Sequence, residues 1–257
     1  AHSRGWERDL SGVELIAVEG IGEVRAGDSI AERIAPRAGL SDSDVVCVSQ
    51  KIVSKAEGRL RDLTEVEPSA RALELAGRLE KDPALVELVL AESRRVVRAE
   101  HGVLITETHS GLVCANAGID ASNVPGESTV ALLPADPDRS ARRIRSALIE
   151  ATGVAIAVIV TDSFGRPWRV GQSEVAIGCA GIDPLDDWRG RSDAVGGELQ
   201  ATAIARADQI AAAADLVRDK TAGVPVVIVR GLDLAIDPGD GPGASALQRP
   251  AAEDLFR

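Results

Sequence analysis

The chain has no tyrosine and no methionine, and only two phenylalanines and three tryptophans among its 257 residues. So few aromatic faces exclude the usual base-stacking nucleic-acid modules. Cysteine is scarce as well. Cys47, Cys114 and Cys179 are odd in number, sit at no metal-like spacing and have small or apolar neighbours. They read as buried thiols of a reducing compartment. The three histidines, His2, His101 and His109, lack the spacing of zinc ligands. Long hydrophobic runs are missing: the apolar stretches are strand-sized, well short of the roughly 20 residues that span a bilayer. No charged n-region with an apolar core opens the chain. The expected setting is cytoplasmic, with neither membrane nor nucleic acid as partner.

Positive charge is also in deficit. The formal net charge is −11, which repels phosphate backbones, so an anionic substrate needs a locally basic or metal-lined site. Lysine occurs only at Lys51, Lys55, Lys81 and Lys220, within an arginine-rich background. What the chain does have is core material: 45% hydrophobic and 27% charged residues describe a folded globular protein. No linker-like stretch divides it, and one domain over residues 10–257 is expected.

Apolar periodicity and punctuation give the elements. Strands are expected at Val13–Val18, Val45–Ser49, Val96–Val97, Val103–Thr106, Leu112–Ala115, Thr129–Leu133, Val154–Thr161, Val175–Ala180 and Val224–Val229. Val154–Thr161 is apolar until its end, as in a strand covered on both faces. Helices are expected from Ser29 to Ala38, from Pro68 to Arg95 with a break at Asp82-Pro83, from Pro137 to Ala151, and from Glu198 to Val217. The last carries an alanine stripe, Ala203, Ala207, Ala211 and Ala214, suited to close packing. Irregular interleaving of strands and helices, with hairpins, favours α+β with mixed or antiparallel sheets and packed helices over a βαβ array.

Common nucleotide motifs fail. Lys220-Thr221 follows Asp219 rather than Gly and comes after a helix, so there is no phosphate loop, and Gly20 and Gly22 are not followed by a third Gly at dinucleotide spacing. Gly171-Gln172-Ser173 does not continue as a nucleophile elbow. Polar residues at strand ends remain. Asp162 and Ser163 follow the buried strand, with Gly165-Arg166-Pro167 as a turn beyond. Asp120 lies in the small-residue stretch Asn116 to Asn123. Two carboxylates and a hydroxyl suit Mg²⁺ or Mn²⁺, and each Asp equally suits an Asx turn. Lys51 and Lys55, at i and i+4, could hold a triphosphate or be a solvated pair. Arg139 to Arg145 reads as the wet face of a helix, although Arg142 and Arg143 could attract an acidic substrate.

Several longer segments share a pattern. Ser49 to Arg59, Cys114 to Asn123, Thr161 to Arg169, Ala176 to Gly181, Asp208 to Val217 and Gly223 to Gly231 together resemble the F420 γ-glutamyl ligases, the coenzyme F420-0:L-glutamate ligase family. The resemblance runs from about Leu15 to the C-terminus with the motifs in order. It implies a fold outside the phosphate-loop and dinucleotide classes, an intertwined homodimer, and GTP-dependent ligation of L-glutamate to coenzyme F420-0 with Mg²⁺ or Mn²⁺, and K⁺ as an optional further ion. Carried over by position, Asp120, Asp162 and Ser163 would bind metal, and Asp120, Asp162 and Lys55 would serve catalysis. Ile21, Gly22, Glu23, Val24, Ser49, Gln50, Lys55 and Asn123 would contact GTP, as would the loop running from Arg218 towards Pro225, with Asp219 and Lys220. The chain departs from the family pattern at Ile21-Gly22, where Leu-Pro is common, and at Arg218-Asp219-Lys220, where a metal-binding side chain gives way to Lys220. Some related proteins carry a second, flavin-binding domain; with the sequence running to Arg257, that activity is not expected here.

Overall fold

The structure is a computed structural model, and it describes residues 12–122, 126, 128–218 and 223–254. Its centre is a five-stranded mixed sheet in the order β1-β12-β2-β8-β9. These strands are β1 (Glu14–Ala17), β2 (Val45–Ser49), β8 (Ala157–Arg166), β9 (Arg169–Ala180) and β12 (Val226–Arg230). β2 and β8 run parallel; the other neighbours are antiparallel.

Alternation along each strand divides the core. Val46, Val48, Val158, Val160, Val226 and Ile228 join one apolar cluster. Their sequence neighbours Val45, Cys47, Ala157, Ile159, Val227 and Val229 join another. A period-2 pattern puts successive side chains on opposite faces, so these near-continuous Val/Ile runs need cover on both. α1 (Ile30–Ala38) and α5 (Pro137–Thr152) contribute to the first face, and α6 (Arg206–Asp215) to the second.

The helices have local start and stop signals. Ser29 caps α1 by accepting the Glu32 N–H, and Gly39 ends it in the left-handed region. Asp136 caps α5, Pro137 follows at its first turn, and Gly153 closes it. The α5 N-terminus packs directly on β9. A side chain on Gly178 would sit 2.2 Å from the Pro137 carbonyl oxygen, and Asp138 accepts the Cys179 N–H at 2.9 Å. Only glycine allows that approach.

A second lobe contains the antiparallel sheet β4 (Ser93–Glu100), β5 (Val103–Thr108) and β6 (Val113–Ala115) beside α3 (Ala70–Leu79) and α4 (Pro83–Ala91). β3 (Leu60–Asp62) pairs with β7 (Thr129–Ala131), and β10 (Leu185–Asp187) with β11 (Ala203–Ala205). α2 (Gln50–Ala56) follows β2 without a loop. Among the described residues no helix is long and apolar enough to cross a membrane.

The α+β class with mixed sheets agrees with the sequence expectation, and three local expectations are corrected. The stretch 198–205 is not helical. Leu185 to Asp187 pair with Ala203 to Ala205, and the Trp188 N–H reaches the Thr202 carbonyl; tertiary pairing there overrides alanine's helix propensity, and α6 begins only at Arg206. The segment after α4 turns into β4 at Ser93, so the helix stops before Arg95. Arg145 is not on a wet face. It is 5% exposed, donates to the carbonyls of Ile156, Asp237 and Gly239, and pairs with Asp240 at 3.1 Å. Its guanidinium makes four hydrogen bonds, three of them to backbone carbonyls that the fold brings to it. The three cysteines are buried free thiols, as expected.

Candidate active site

The parallel pair β2–β8 brings two distant segments together. Ser49 and Thr161 are register partners at its end. β2 stops there and becomes α2; β8 continues, so Asp162 lies within a strand and not beyond one. A register shift between Val160 and Thr161 re-aims the side chains that follow. The hairpin runs on to Arg166 and returns from Arg169.

Asp120 approaches from another direction. Its backbone bridges to Ala131, with Asp120 N–H to the Ala131 carbonyl at 3.0 Å and Ala131 N–H to the Asp120 carbonyl at 2.8 Å. One carboxylate oxygen accepts the Ser122 N–H at 2.6 Å. This is an Asx turn. The other pairs with Lys51 Nζ at 2.8 Å. Lys51 also donates to the Ser122 carbonyl and hydroxyl. The turn and the charged role coexist.

The two carboxyls titrate in opposite directions. Burial, then the negative charge of Glu174, pushes Asp162 up to about 7; Asp120 adds to the rise, while the Ser163 N–H and Lys51 oppose it. Asp120 feels burial most strongly too, but its contacts with Lys51 and Ser122 outweigh it and hold its carboxyl below the usual range. Mutual charge effects place Asp120, Asp162 and Lys51 in one electrostatic neighbourhood. Burial, with Asp162's charge second, raises the Cys114 thiol to about 12, which leaves it unreactive near neutral pH.

Ser163 has a different environment. Adjacent residues in a strand project to opposite faces, and its hydroxyl donates to Glu174 Oε1 at 2.6 Å. Glu174 is its partner in register across the hairpin. Glu174 in turn pairs with Arg218 at 3.1 Å, and Arg218 donates to the Thr161 hydroxyl at 2.7 Å and to the Cys47 carbonyl at 3.0 Å. Neither Glu174 nor Thr161 stood out in the sequence. The signal was the hairpin register, which depends on where β8 turns.

The other expected residues divide. Lys55 is 8% exposed and its ammonium meets Glu23 at 2.7 Å. Ile21 and Val24 are buried in the first-face cluster, and Gly20 and Gly22 adopt positive φ around them. Arg33 holds this loop by donating to the Ile21 carbonyl at 2.9 Å. Gln50 is turned inward, 2% exposed, and accepts from Ser54 at 2.9 Å. Ser49 offers its hydroxyl at the head of α2 without a capping bond. Lys51 and Lys55 lie on one helix, as their spacing implied, yet bind different acids. Asn123, Asp219 and Lys220 lie outside the described residues.

Asp120 and Asp162 have the hard oxygen chemistry that Mg²⁺ and Mn²⁺ prefer. Among the described residues no group of three or more His, Cys, Asp or Glu could hold a metal ion. Two carboxylates alone leave most of a Mg²⁺ ion's coordination positions to other oxygens, such as those of a phosphate.

Comparison with known proteins gives a consistent picture. Residues 20–231 match the family described as F420-0:gamma-glutamyl ligase. The coenzyme F420:L-glutamate ligase of Methanothermobacter thermautotrophicus is 46% identical over 252 residues, covering 96% of this chain and 99% of its own. That of Methanopyrus kandleri is 47% identical over 237 residues, covering 91% and 94%. That of Haloarcula marismortui is 44% identical over 252 residues, covering 95% and 96%.

Proposed function

The chain belongs to the F420-0:gamma-glutamyl ligase family, and from that premise we propose that it joins L-glutamate to coenzyme F420-0, driven by GTP. The observation that carries the reading is the convergence of Asp120, Lys51 and Asp162 beside the end of the β2–β8 pair. A carboxylate is a poor acyl donor, so it must be activated. In the reaction we infer, an oxygen of the F420-0 terminal carboxylate takes the γ-phosphoryl group and GDP leaves. The glutamate amine then attacks the acyl carbon, phosphate departs and the amine loses a proton. A second glutamate joins by the same chemistry through a γ-linkage.

Such transfer needs positioning and charge compensation more than a protein nucleophile. Mg²⁺ or Mn²⁺, when bound, would neutralise phosphate charge, and Asp120 and Asp162 would hold it. Lys51 is placed to meet an anion arriving at the same carboxylates. Lys55 lies further along α2, where an incoming phosphate would compete with Glu23 for its ammonium. The Ile21 to Val24 loop, Ser49 and the segment from Arg218 towards Pro225 are, on the family resemblance, our candidates for GTP contact, together with Asn123, Asp219 and Lys220. Gln50 supports the α2 head from inside.

We take the working form to be a homodimer. Trp168 and Val170, 78% and 98% exposed at the hairpin tip, give a second copy an apolar surface to cover. The test is mass spectrometry of F420-0 incubated with the protein, GTP, Mn²⁺ and L-glutamate. Glutamyl additions that require GTP are expected. No addition to F420-0, with addition to another carboxylated acceptor under the same conditions, would redirect the substrate assignment.

A further inference from the structure

A cleft of about 470 Å³ opens between the start of α5, the β5–β6 turn and the stretch from Pro242 to Gln248. That volume is in the range of small-molecule sites. Its wall includes Asp136, Asp138, Arg142, Ile177 and Ser110. Gln248 ties its two rims together by donating to the Ser110 carbonyl at 2.9 Å. Asp138 is fully engaged: its oxygens accept the N–H groups of Cys179, Ala244 and Ser245. Arg142 is not. It is half-buried and makes no hydrogen bond or ion pair with a described residue, whereas Arg145, one turn on, makes four hydrogen bonds. An unpartnered guanidinium in a concave wall is a place for an anion, the more so in a chain of net charge −11.

Two routes join this cleft to Asp162. Val160 and Phe164 belong to the first-face cluster, as do Val175 and Ile177. Asp162 lies between the first two in sequence and opposite Val175 in register, so it faces the same side of the sheet. Ile177, in the cleft wall, is two residues along β9 from Val175, about 7 Å. The second route is β6. The charge of Asp162 reaches Cys114 of that strand, and the turn that leads into β6 carries Ser110.

The chemistry selects the ligand. On the ligase reading above, on which this inference rests, the terminal carboxylate of F420-0 reacts beside Asp120 and Asp162. The incoming glutamate reacts through its amine and keeps two carboxylates, which the phosphates and the two Asp carboxylates repel. They need a cation set back from the reacting atoms. Asp136 and Asp138 beside Arg142 disfavour a doubly charged phosphate there more than a single carboxylate. We propose that the cleft is the L-glutamate subsite and that Arg142 holds a carboxylate of the incoming amino acid, by the two-pronged contact that guanidinium makes with such groups.

The test measures turnover against L-glutamate and against F420-0 separately, with GTP and Mn²⁺, beside calorimetry of L-glutamate binding in GDP and Mn²⁺. Arg142→Gln should raise KM for glutamate roughly 10- to 100-fold, the worth of hydrogen bonds to a charged group. A contact made equally before and during reaction leaves kcat within about threefold. KM for F420-0 should hold. Arg142→Lys should recover part of the loss, and Arg143→Gln, exposed on the same helix, should change neither KM. An unchanged KM for glutamate in a folded Arg142→Gln variant overturns the inference. So does an equal rise in KM for F420-0, which would give the cleft to the acceptor, or an equal effect of Arg143→Gln. If melts show that Arg142→Gln does not fold, Arg142→Lys carries the same comparison. A parent that adds no glutamate to F420-0 sinks the ligase reading, and calorimetry still judges the cleft: glutamate binding that Arg142→Gln abolishes keeps it, and absent or unaltered binding removes it.

Discussion

The outer half of β8 has two sides with opposite electrostatic character. On one, Asp120 and Asp162 share a single nearby ammonium, Lys51, whose own side chain is 16% exposed. Charge there is unbalanced and the counter-ion can be reached from solvent. On the other, Glu174 and Arg218 pair with each side chain under a tenth exposed and with Ser163 and Thr161 bound to them, although the charge of Glu174 still reaches Asp162. Unbalanced, partly exposed carboxylates invite an exchangeable cation; a satisfied buried pair holds its neighbours still. The difference separates the group that meets the ligand from the group that fixes geometry, though both sit within a few residues of one strand.

The harshest way to break the contrast is Asp162→Ala. On the reading above it removes a carboxylate whose role is realised during phosphoryl transfer, so glutamate addition should fall by roughly 10³-fold or more. The fold should persist, because Asp162 has no structural partner comparable to Arg218. Glutamate incorporation and a circular dichroism melt measured on the same sample check both halves. Near-parental turnover in a folded variant would remove Asp162 from the mechanism.

A gentler test uses protons. In cation-free protein the Asp162 carboxyl lies near 7, against an ordinary value of 3.8. Between these values the native state keeps a proton that the unfolded chain has lost, so this group's contribution to stability declines as pH rises from about 4 to 7. Asp162→Asn should therefore be more stable than the parent at pH 8, by about 1–2 kcal/mol once solvent screening is allowed for. Near pH 4 the two should match. Asp120 has the opposite sign: its lowered value gives stability that is present above its unfolded pKa and fades as pH falls through the folded one. Urea unfolding in chelator at the two pH values is the measurement. An equal parent–variant difference at both would show that Asp162 is not buried beside its like charges.

These effects turn on contacts that the sequence exposed unevenly. β2 and the apolar part of β8 were legible because Val/Ile runs leave no alternative to two-sided cover. The spans of α1 and α5 were legible from Ser29 to Ala38 and from Pro137 onward, whereas the caps at Gly39 and Asp136 emerged only in the fold. The carboxylates stood out as polar residues after apolar strands, and the family resemblance tied them to one reaction. The closed side of the strand was not legible. Glu174 looks like any charged residue until the hairpin register sets it opposite Ser163, and Arg218 until the chain returns over β2. Arg145 and the stretch 198–205 were misread for the same reason: their partners are distant in sequence, and local propensity cannot see them.

The smallest expected effect sharpens the comparison most. If Lys51 acts as the resident counter-ion of Asp120, it competes with any divalent cation drawn to the same carboxylates. Lys51→Met removes the ammonium and keeps much of the stem. Mn²⁺ in the absence of nucleotide should then bind about two- to fivefold more tightly, matching the roughly 0.5–1 kcal/mol of a solvent-reachable ion pair. In the presence of GTP the sign should reverse, because the lysine is then free to meet phosphate. The satisfied side offers no such exchange: Arg218 is enclosed, and its removal would leave Glu174 buried and unpaired. Mn²⁺ titrations of Lys51→Met with and without GTP decide the matter. Weaker Mn²⁺ binding in both would mean that Lys51 orients Asp120 instead of holding its place.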